Sequence, residues 1–277
     1  MEQYFAVIGD PIAHSLSPVM HEAGYKALGI EARYLKFRVE ANKLNEAVSG
    51  LRALGFSGCN VTIPHKERVL RYIDELTIEA KRAGAVNTIK FTPEKIIGHN
   101  TDGLGFVRSI QEKVANLKDC KAVILGAGGA ARGIGMALAN SGVNLLILNI
   151  APEMTEQLVR DIRSAGGSAV GGEFKPGAWL KDADLLVQAT SVGLHGENYP
   201  FELTGISPKT LVVDILFGPK PTPFLQNARS LGCDTLNGLG MLLYQGALAW
   251  EFWLGGKAPV EPMWTALLNE VEARQKS

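Results

Sequence analysis

The chain has 277 residues, enough for about two domains that each bury a core of their own. Hydrophobic residues make up 46% and charged ones 20%, a composition that excludes wholesale disorder. The 28 basic and 28 acidic side chains balance without any basic block, which excludes nucleic acid and an anionic membrane as expected partners. Apolar runs are too short to span a bilayer. Three scattered cysteines (Cys59, Cys120, Cys233) form no CxxC, which points to reduced thiols and a cytoplasmic setting. The five histidines show no HExxH or paired spacing, so no metal site is expected. His65 reads as a solvent-facing turn histidine. The start, MEQYFAVIGD, runs straight into a strand and has no signal-peptide pattern.

Strands and helices alternate along the chain, the pattern of an α/β protein with largely parallel sheets. Residues 4–8 predict a strand. Ser17 and Pro18 suit the N-cap and first position of a helix ending near Gly29. Further strands are predicted at 33–39 and 58–62, with a helix over 42–54 between them. Pro64 stops the third strand and suits a helix start, and the pattern over 65–82 predicts a helix. A strand follows at 85–91. Asp102 suits the N-cap of a helix over 104–115.

The second half restarts with a clearer signal. An apolar strand at 121–125 runs into GAGGAARG and then a helix of small residues. Gly126, Gly128 and Ala131 fit G-x-G-x-x-G/A: one permits the tight turn, one lets backbone approach a pyrophosphate, one allows close helix–strand packing. The amides of the turn and the helix N-terminus would hold the phosphates. Strands are predicted next at 144–149, 184–190, 210–216 and 233–236. The last forty residues turn helical, and MLLYQGALAWEFWLG is apolar on nearly every face, so it should be buried, with its tryptophans as core.

Polar clusters gather at strand ends of the first half: SLSP (15–18), NVTIPHK (60–66), AVNT (85–88) and NTDG (100–103). Each alone has an ordinary reading, since Ser17 and Asp102 suit caps, Asn87 suits a turn and Lys66 suits a solvated helix. Together they put hydroxyls, amides, one amine and one carboxylate where open α/β sheets bind ligands. That set suits a small polyhydroxylated substrate and a proton transfer.

With GAGGAAR, QATSVGL, DILFGPKPTP and GLGMLLYQ, these motifs make eight in order along the chain, and the sequence resembles the shikimate dehydrogenase family over essentially its full length. The resemblance implies reversible reduction of 3-dehydroshikimate to shikimate with NADP, in aromatic amino-acid biosynthesis, by a monomer or homodimer. It implies an α/β fold of two domains: a substrate domain with a mainly parallel sheet over 1–101 plus 238–277, and a Rossmann domain over 102–237. The final helices return to the first domain, and the cleft between the domains would be the site. Lys66 and Asp102 match the catalytic pair. Ser15 and Ser17 would bind the substrate carboxylate; Asn60, Thr62, Asn87 and Gln245 would hold its hydroxyls and ring, with Phe217 beside them. Gly126, Ala127, Gly128, Gly129 and Ala130 match the phosphate loop, and Arg132, Asn149, Thr190, Ile215 and Gly238 line the cofactor.

Two positions depart from the family pattern. NADP-dependent members end the second Rossmann strand in Asn-Arg-Thr, whose arginine and hydroxyl grip the 2′-phosphate. Here Asn149 is kept, but Ile150 and Ala151 replace the gripping pair, and no acidic residue stands there to select NAD. NAD use is therefore open, with Arg132 as the residue able to compensate. Phe217 stands where a tyrosine commonly helps bind substrate, and Gln188 replaces an asparagine. The alternatives are a quinate or dual-substrate dehydrogenase using NAD, and a non-catalytic cofactor sensor, against which the intact Lys66 and Asp102 argue.

Overall fold

The computed structural model describes residues 2–218 and 220–276, so Pro219 of the DILFGPKPTP motif lies outside it. The chain divides into two compact units, Met1–Gly105 with Leu242–Ser277, and Phe106–Met241.

In the first unit, strand β1 (Gln3–Gly9) is apolar and buried from Phe5 onward because both its faces are covered there. Side chains alternate across a strand, so Phe5 and Val7 enter one core and Ala6 and Ile8 the other. Helix α1 (Ser17–Leu28) leads to the edge strand β2 (Ala32–Arg38), and α2 (Leu44–Ala53) to β3 (Gly58–Val61). The rest of the unit's sheet comes from β4 (Glu75–Leu76), β5 (Thr88–Phe91) and β6 (Ile96–His99), with α3 (Ile78–Ala83) after β4 and α4 beginning at Asp102 (Asp102–Ile110). The strand order is β2-β1-β3-β5-β6-β4. Only β5 runs antiparallel to its neighbours, which leaves the sheet mainly parallel.

In the second unit, β7 (Lys121–Leu125), α5 (Gly129–Asn140), β8 (Asn144–Leu148), α6 (Pro152–Ser164) and β9 (Ser168–Gly172) form one half. The other half is α7 (Trp179–Asp182), β10 (Leu185–Gln188), β11 (Leu211–Asp214), α8 (Pro223–Ser230) and β12 (Thr235–Leu236). All pairings are parallel in the order β12-β11-β10-β7-β8-β9, the Rossmann arrangement. Strand order reverses between β7 and β10, which puts the glycine turn after β7 at the switch point where such sheets take ligands.

The chain ends in α9 (Leu239–Leu254) and α10 (Val260–Lys276). From Leu242 onward they belong to the first unit: Ala249, Trp250 and Trp253 pack with Phe5, Tyr25 and Tyr34. Trp253 Nε1 donates to the Ile89 carbonyl at 2.8 Å, so its one polar atom is satisfied inside the core. No helix among the described residues is long and apolar enough to cross a membrane.

Several local expectations change. Residues 65–82 do not form one helix: a 3-10 turn at Arg68–Tyr72, β4 and the short α3 replace it. Pairing decides this, because Asp74 N donates to the Ile96 carbonyl and β4 joins β6, a contact that local propensity cannot foresee. Strand β6 was not anticipated, and β5 starts three residues after the expected 85. Pro64 sits in the loop after β3, not in a helix. The α4 helix starts at Asp102 and ends at Ile110, five residues before the expected 115.

Candidate active site

The polar floor of the first unit is assembled from backbone first. Strand β3 ends beside β1, where Thr62 N donates to the Ile8 carbonyl at 2.9 Å. Gly9 permits this approach, since a Cβ there would collide with the Thr62 methyl. Val86 N then donates to the Lys66 carbonyl at 2.8 Å, fixing the loop that carries the lysine. His65 is fully buried rather than solvent-facing, with Nε2 at 2.6 Å from the Val39 carbonyl. It pins the loop to the end of β2, so a position read as incidental anchors its neighbour.

Lys66 Nζ donates to Asp102 Oδ2 at 2.7 Å, with the lysine side chain 21% and the carboxylate 5% exposed. A carboxylate this buried persists only when paired and hydrogen-bonded. The remaining oxygen, Oδ1, accepts from Asn87 Nδ2 at 2.8 Å. The helix cap at Asp102 is supplied by Asn100, whose Oδ1 accepts from Asp102 N at 3.1 Å, and not by Asp102 itself. This leaves the Asp102 side chain for the lysine.

Asn60 and Asn87 are buried and saturated as donors. Asn60 Nδ2 donates to the Asn87 carbonyl and to Thr88 Oγ1, each at 3.0 Å, and its Oδ1 accepts from the Tyr34 hydroxyl at 2.6 Å. Asn87 Nδ2 donates to Thr101 Oγ1 at 2.9 Å as well as to Asp102. Asn60 can therefore meet a ligand only through oxygen, while Asn87 Oδ1 is itself filled by Thr88 Oγ1 and Thr101 N, each at 2.9 Å. Thr62 stands at the end of β3, half-buried. Ser15 Oγ accepts from Ser17 N at 3.3 Å, so Ser15, not Ser17, supplies the hydroxyl at the start of α1, whose N-cap is Leu16. Gln245 Nε2 folds back onto the Leu242 carbonyl at 2.8 Å, and Gly105 lets α4 pass against the Gln245 backbone. Tyr34, Thr88, Asn100 and Thr101 were not singled out from sequence, although Asn100 two residues before a helix is a recognisable capping signal.

In the second unit, Gly126 has φ +116 and a Cβ there would meet the Ala189 carbonyl at 2.9 Å, so only glycine fits the turn. Gly128, the N-cap of α5, has no atom within 4 Å of where a Cβ would stand, and no side chain caps the helix. The space beside Gly128 is therefore open and the first turn of α5 has no side-chain cap, a fit for a pyrophosphate at the helix N-terminus. Ala127 is buried under the turn. Thr190 follows β10, with its Oγ1 accepting from Val192 N at 3.1 Å. Gly238 lies against Ile215, whose carbonyl a Cβ would strike.

Two carboxylates shape this unit further. Asp214 accepts from Thr222 Oγ1 at 2.6 Å, Leu216 N at 3.0 Å and Gln188 Nε2 at 3.3 Å, anchoring the loop that exposes Phe217. Burial pushes its carboxyl up to about 6. At the end of β8, Ile150 is 81% exposed, and Asn149 Nδ2 turns to the Ala151 carbonyl. Arg132 Nη2 is held by Asp161 Oδ2 of α6 at 2.6 Å. Among the described residues there is no cluster of side chains able to hold a metal.

A Rossmann unit with its glycine turn, joined in one chain to a second α/β unit bearing a buried carboxylate and its lysine, defines the class: a two-domain nicotinamide-dependent oxidoreductase. Comparison with known proteins is more specific. The models for the shikimate dehydrogenase substrate binding domain and the shikimate 5'-dehydrogenase C-terminal domain match residues 7–89 and 238–268. The shikimate dehydrogenase (NADP(+)) of Desulfitobacterium hafniense (strain Y51) is 60% identical, over 96% of this chain and 98% of its own. A crystal structure of a shikimate dehydrogenase in complex with NADP+ matches with TM-score 0.90 at 35% identity, over 98% of this chain and 96% of that one. The ligand-free 5-ketofructose reductase of Gluconobacter sp. strain CHM43 matches with TM-score 0.89 at 36% identity, over 98% and 99% of the two chains. The chain belongs to the shikimate dehydrogenase family.

Proposed function

We propose that the chain catalyses the reversible NADP-linked reduction of 3-dehydroshikimate to shikimate, with Lys66 and Asp102 as the catalytic pair. The observation that carries this reading is the 2.7 Å contact between a partly exposed amine and a buried carboxylate on a floor of amides and hydroxyls. When bound, the reduced nicotinamide supplies hydride to the carbonyl carbon. Negative charge then grows on the carbonyl oxygen, where the Lys66 ammonium stabilises it and donates the proton. In the oxidative direction Lys66 accepts that proton. Asp102 holds the amine in place and favours its charged form. Ser15 and Ser17 bind the substrate carboxylate. Thr62, Gln245 and the oxygen of Asn60 meet the hydroxyls.

The amides of Gly129 and Ala130 at the start of α5 would hold the phosphates of the dinucleotide, and Thr190, Ile215 and Gly238 would line its nicotinamide side. NADP is the cofactor of the relatives so named. In this chain the 2′-phosphate is held weakly, because Ile150 and Ala151 offer no charge and Arg132 is engaged by Asp161. The same observation favours a second reading, in which NAD serves as well.

Lys66→Ala tests the assignment. Turnover of shikimate should fall about 10²–10⁴-fold, the usual contribution of a general acid–base group, while NADP binding is retained. Because Asp102 is then buried without its cation, stability should also fall by up to about 3–5 kcal/mol, so rates are referred to cofactor-binding sites. Wild-type kcat in this variant would overturn the role.

A further inference from the structure

The catalytic pair rests on a buried hydrogen-bond relay that begins two strands away. Tyr34 on β2 aligns with Phe5 on β1, and Phe5 with Gly58 on β3, so Tyr34 and Asn60 share one face of the sheet. The Tyr34 ring lies flat on the His21 ring, centroids 4.3 Å apart at 3°, and is 2% exposed. Its hydroxyl donates to Asn60 Oδ1 at 2.6 Å. Burial holds this phenol far above its ordinary pKa, so it stays a donor.

A side-chain amide has an acceptor end and a donor end, and which way it faces is set by its partners. With Oδ1 turned to Tyr34, Asn60 Nδ2 faces Thr88 Oγ1 and the Asn87 carbonyl, each at 3.0 Å, so Tyr34 and that carbonyl hold the amide the same way round. The Thr88 hydroxyl has one proton, which it gives to Asn87 Oδ1 at 2.9 Å. Asn87 Nδ2 is thereby turned to Asp102 Oδ1 at 2.8 Å, leaving Oδ2 for Lys66 at 2.7 Å. Thr101 N also donates to Asn87 Oδ1, at 2.9 Å, so the far end of the relay has a second anchor. Removing the first link should therefore loosen Asp102 rather than release it.

We propose that Tyr34 is a positioning residue for the Asp102–Lys66 pair: its hydroxyl sets the direction of the Asn60–Thr88–Asn87 relay that orients the carboxylate. This rests on the catalytic roles proposed above. Nothing in it requires Tyr34 to touch substrate; the ring is covered by His21, and the phenol oxygen is turned to Asn60, with the Ser17 side chain as its other hydrogen-bond partner.

The test is Tyr34→Phe, with Thr88→Val as an independent cut in the same relay. Each should lower kcat for shikimate oxidation about ten-fold, the size of one lost buried hydrogen bond, with KM within about two-fold and the pH–rate profile displaced. In substrate-free protein, proton exchange at the Asn87 side-chain amide should speed up about ten-fold or more, while the Gln188 amide in the other unit, bonded to the Val192 carbonyl, keeps its rate. Lower melting temperature with unchanged kcat, pH profile and Asn87 exchange would reduce Tyr34 to a packing residue and overturn the proposal. A loss confined to KM would overturn it too, because Asn60 alone would then carry the effect. If the wild type fails to oxidise shikimate, the functional reading fails, and Asn87 exchange still decides the positioning claim.

Discussion

Acid should weaken the first unit through one residue that catalysis does not use. His21 is 0% exposed, and neither ring nitrogen has a hydrogen-bond partner among the described residues. It lies against Tyr34, Tyr25, Trp250 and Trp253, with no acid facing it to repay a charge. Burial pushes its pKa down from the ordinary 6.5 to about 3. Between those values the unfolded chain binds a proton that the native one refuses. Stability is thus fully present above pH 6.5 and is lost as pH falls. At about pH 4.5, two units into the window, the loss is about 2.7 kcal/mol. Asp214 acts in the opposite sense, in the other unit: with its carboxyl raised from 3.8 to about 6, the native state takes up the proton first. That gains about 2 kcal/mol at about pH 4.5, so the two effects nearly cancel in the whole protein. His21→Phe separates them, because it keeps a flat ring and removes the titration. Urea unfolding should be followed by tryptophan fluorescence, since Trp250, Trp253 and Trp264 belong to the first unit. On going from pH 7 to about pH 4.5, the wild type should lose about 2.7 kcal/mol relative to the variant. Equal pH dependence in both proteins would refute the reasoning.

Ser15→Ala and Ser17→Ala should mainly raise KM for shikimate and leave kcat close to wild type, since contacts to the carboxylate exist in ground and transition states alike; steady-state kinetics checks this. Ile150→Arg with Ala151→Thr should raise kcat/KM for NADP about ten-fold or more and leave NAD nearly unchanged, the effect of restoring a charged hydrogen bond to phosphate. Strong NADP preference in the unmodified protein, indifferent to that double substitution, would mean the 2′-phosphate is held elsewhere.

The Rossmann unit was legible because its information is local. An apolar strand, the glycine turn at 126–128 and a small-residue helix follow one another in sequence, and each needs only its neighbours. The motifs at 15–18, 60–66 and 100–103 were legible as residue types, and the structure does bring Lys66 to Asp102. What escaped depends on pairings distant in sequence. The pattern over 65–82 predicts a helix, yet Glu75–Leu76 is the strand β4, extended because β6 lies beside it. The turn pattern places His65 in solvent, yet its ring is buried at Val39, twenty-six residues earlier. Tyr34 falls within the predicted strand 33–39 with no local pattern to mark it, and its hydrogen bond to Asn60 becomes visible only once β1 is placed between β2 and β3. Arg132 was read as a possible phosphate ligand, and no local pattern foretold its partner Asp161 on the next helix.

The central claim is tested most directly by steady-state kcat/KM values of the unmodified protein for shikimate and quinate, each measured with NADP and with NAD. Shikimate should be the better substrate with either cofactor, and NADP should be used with a preference over NAD that is modest, about ten-fold or less, given the uncharged side chains of Ile150 and Ala151. No oxidation of shikimate with either cofactor, or a clear preference for quinate, would contradict the account.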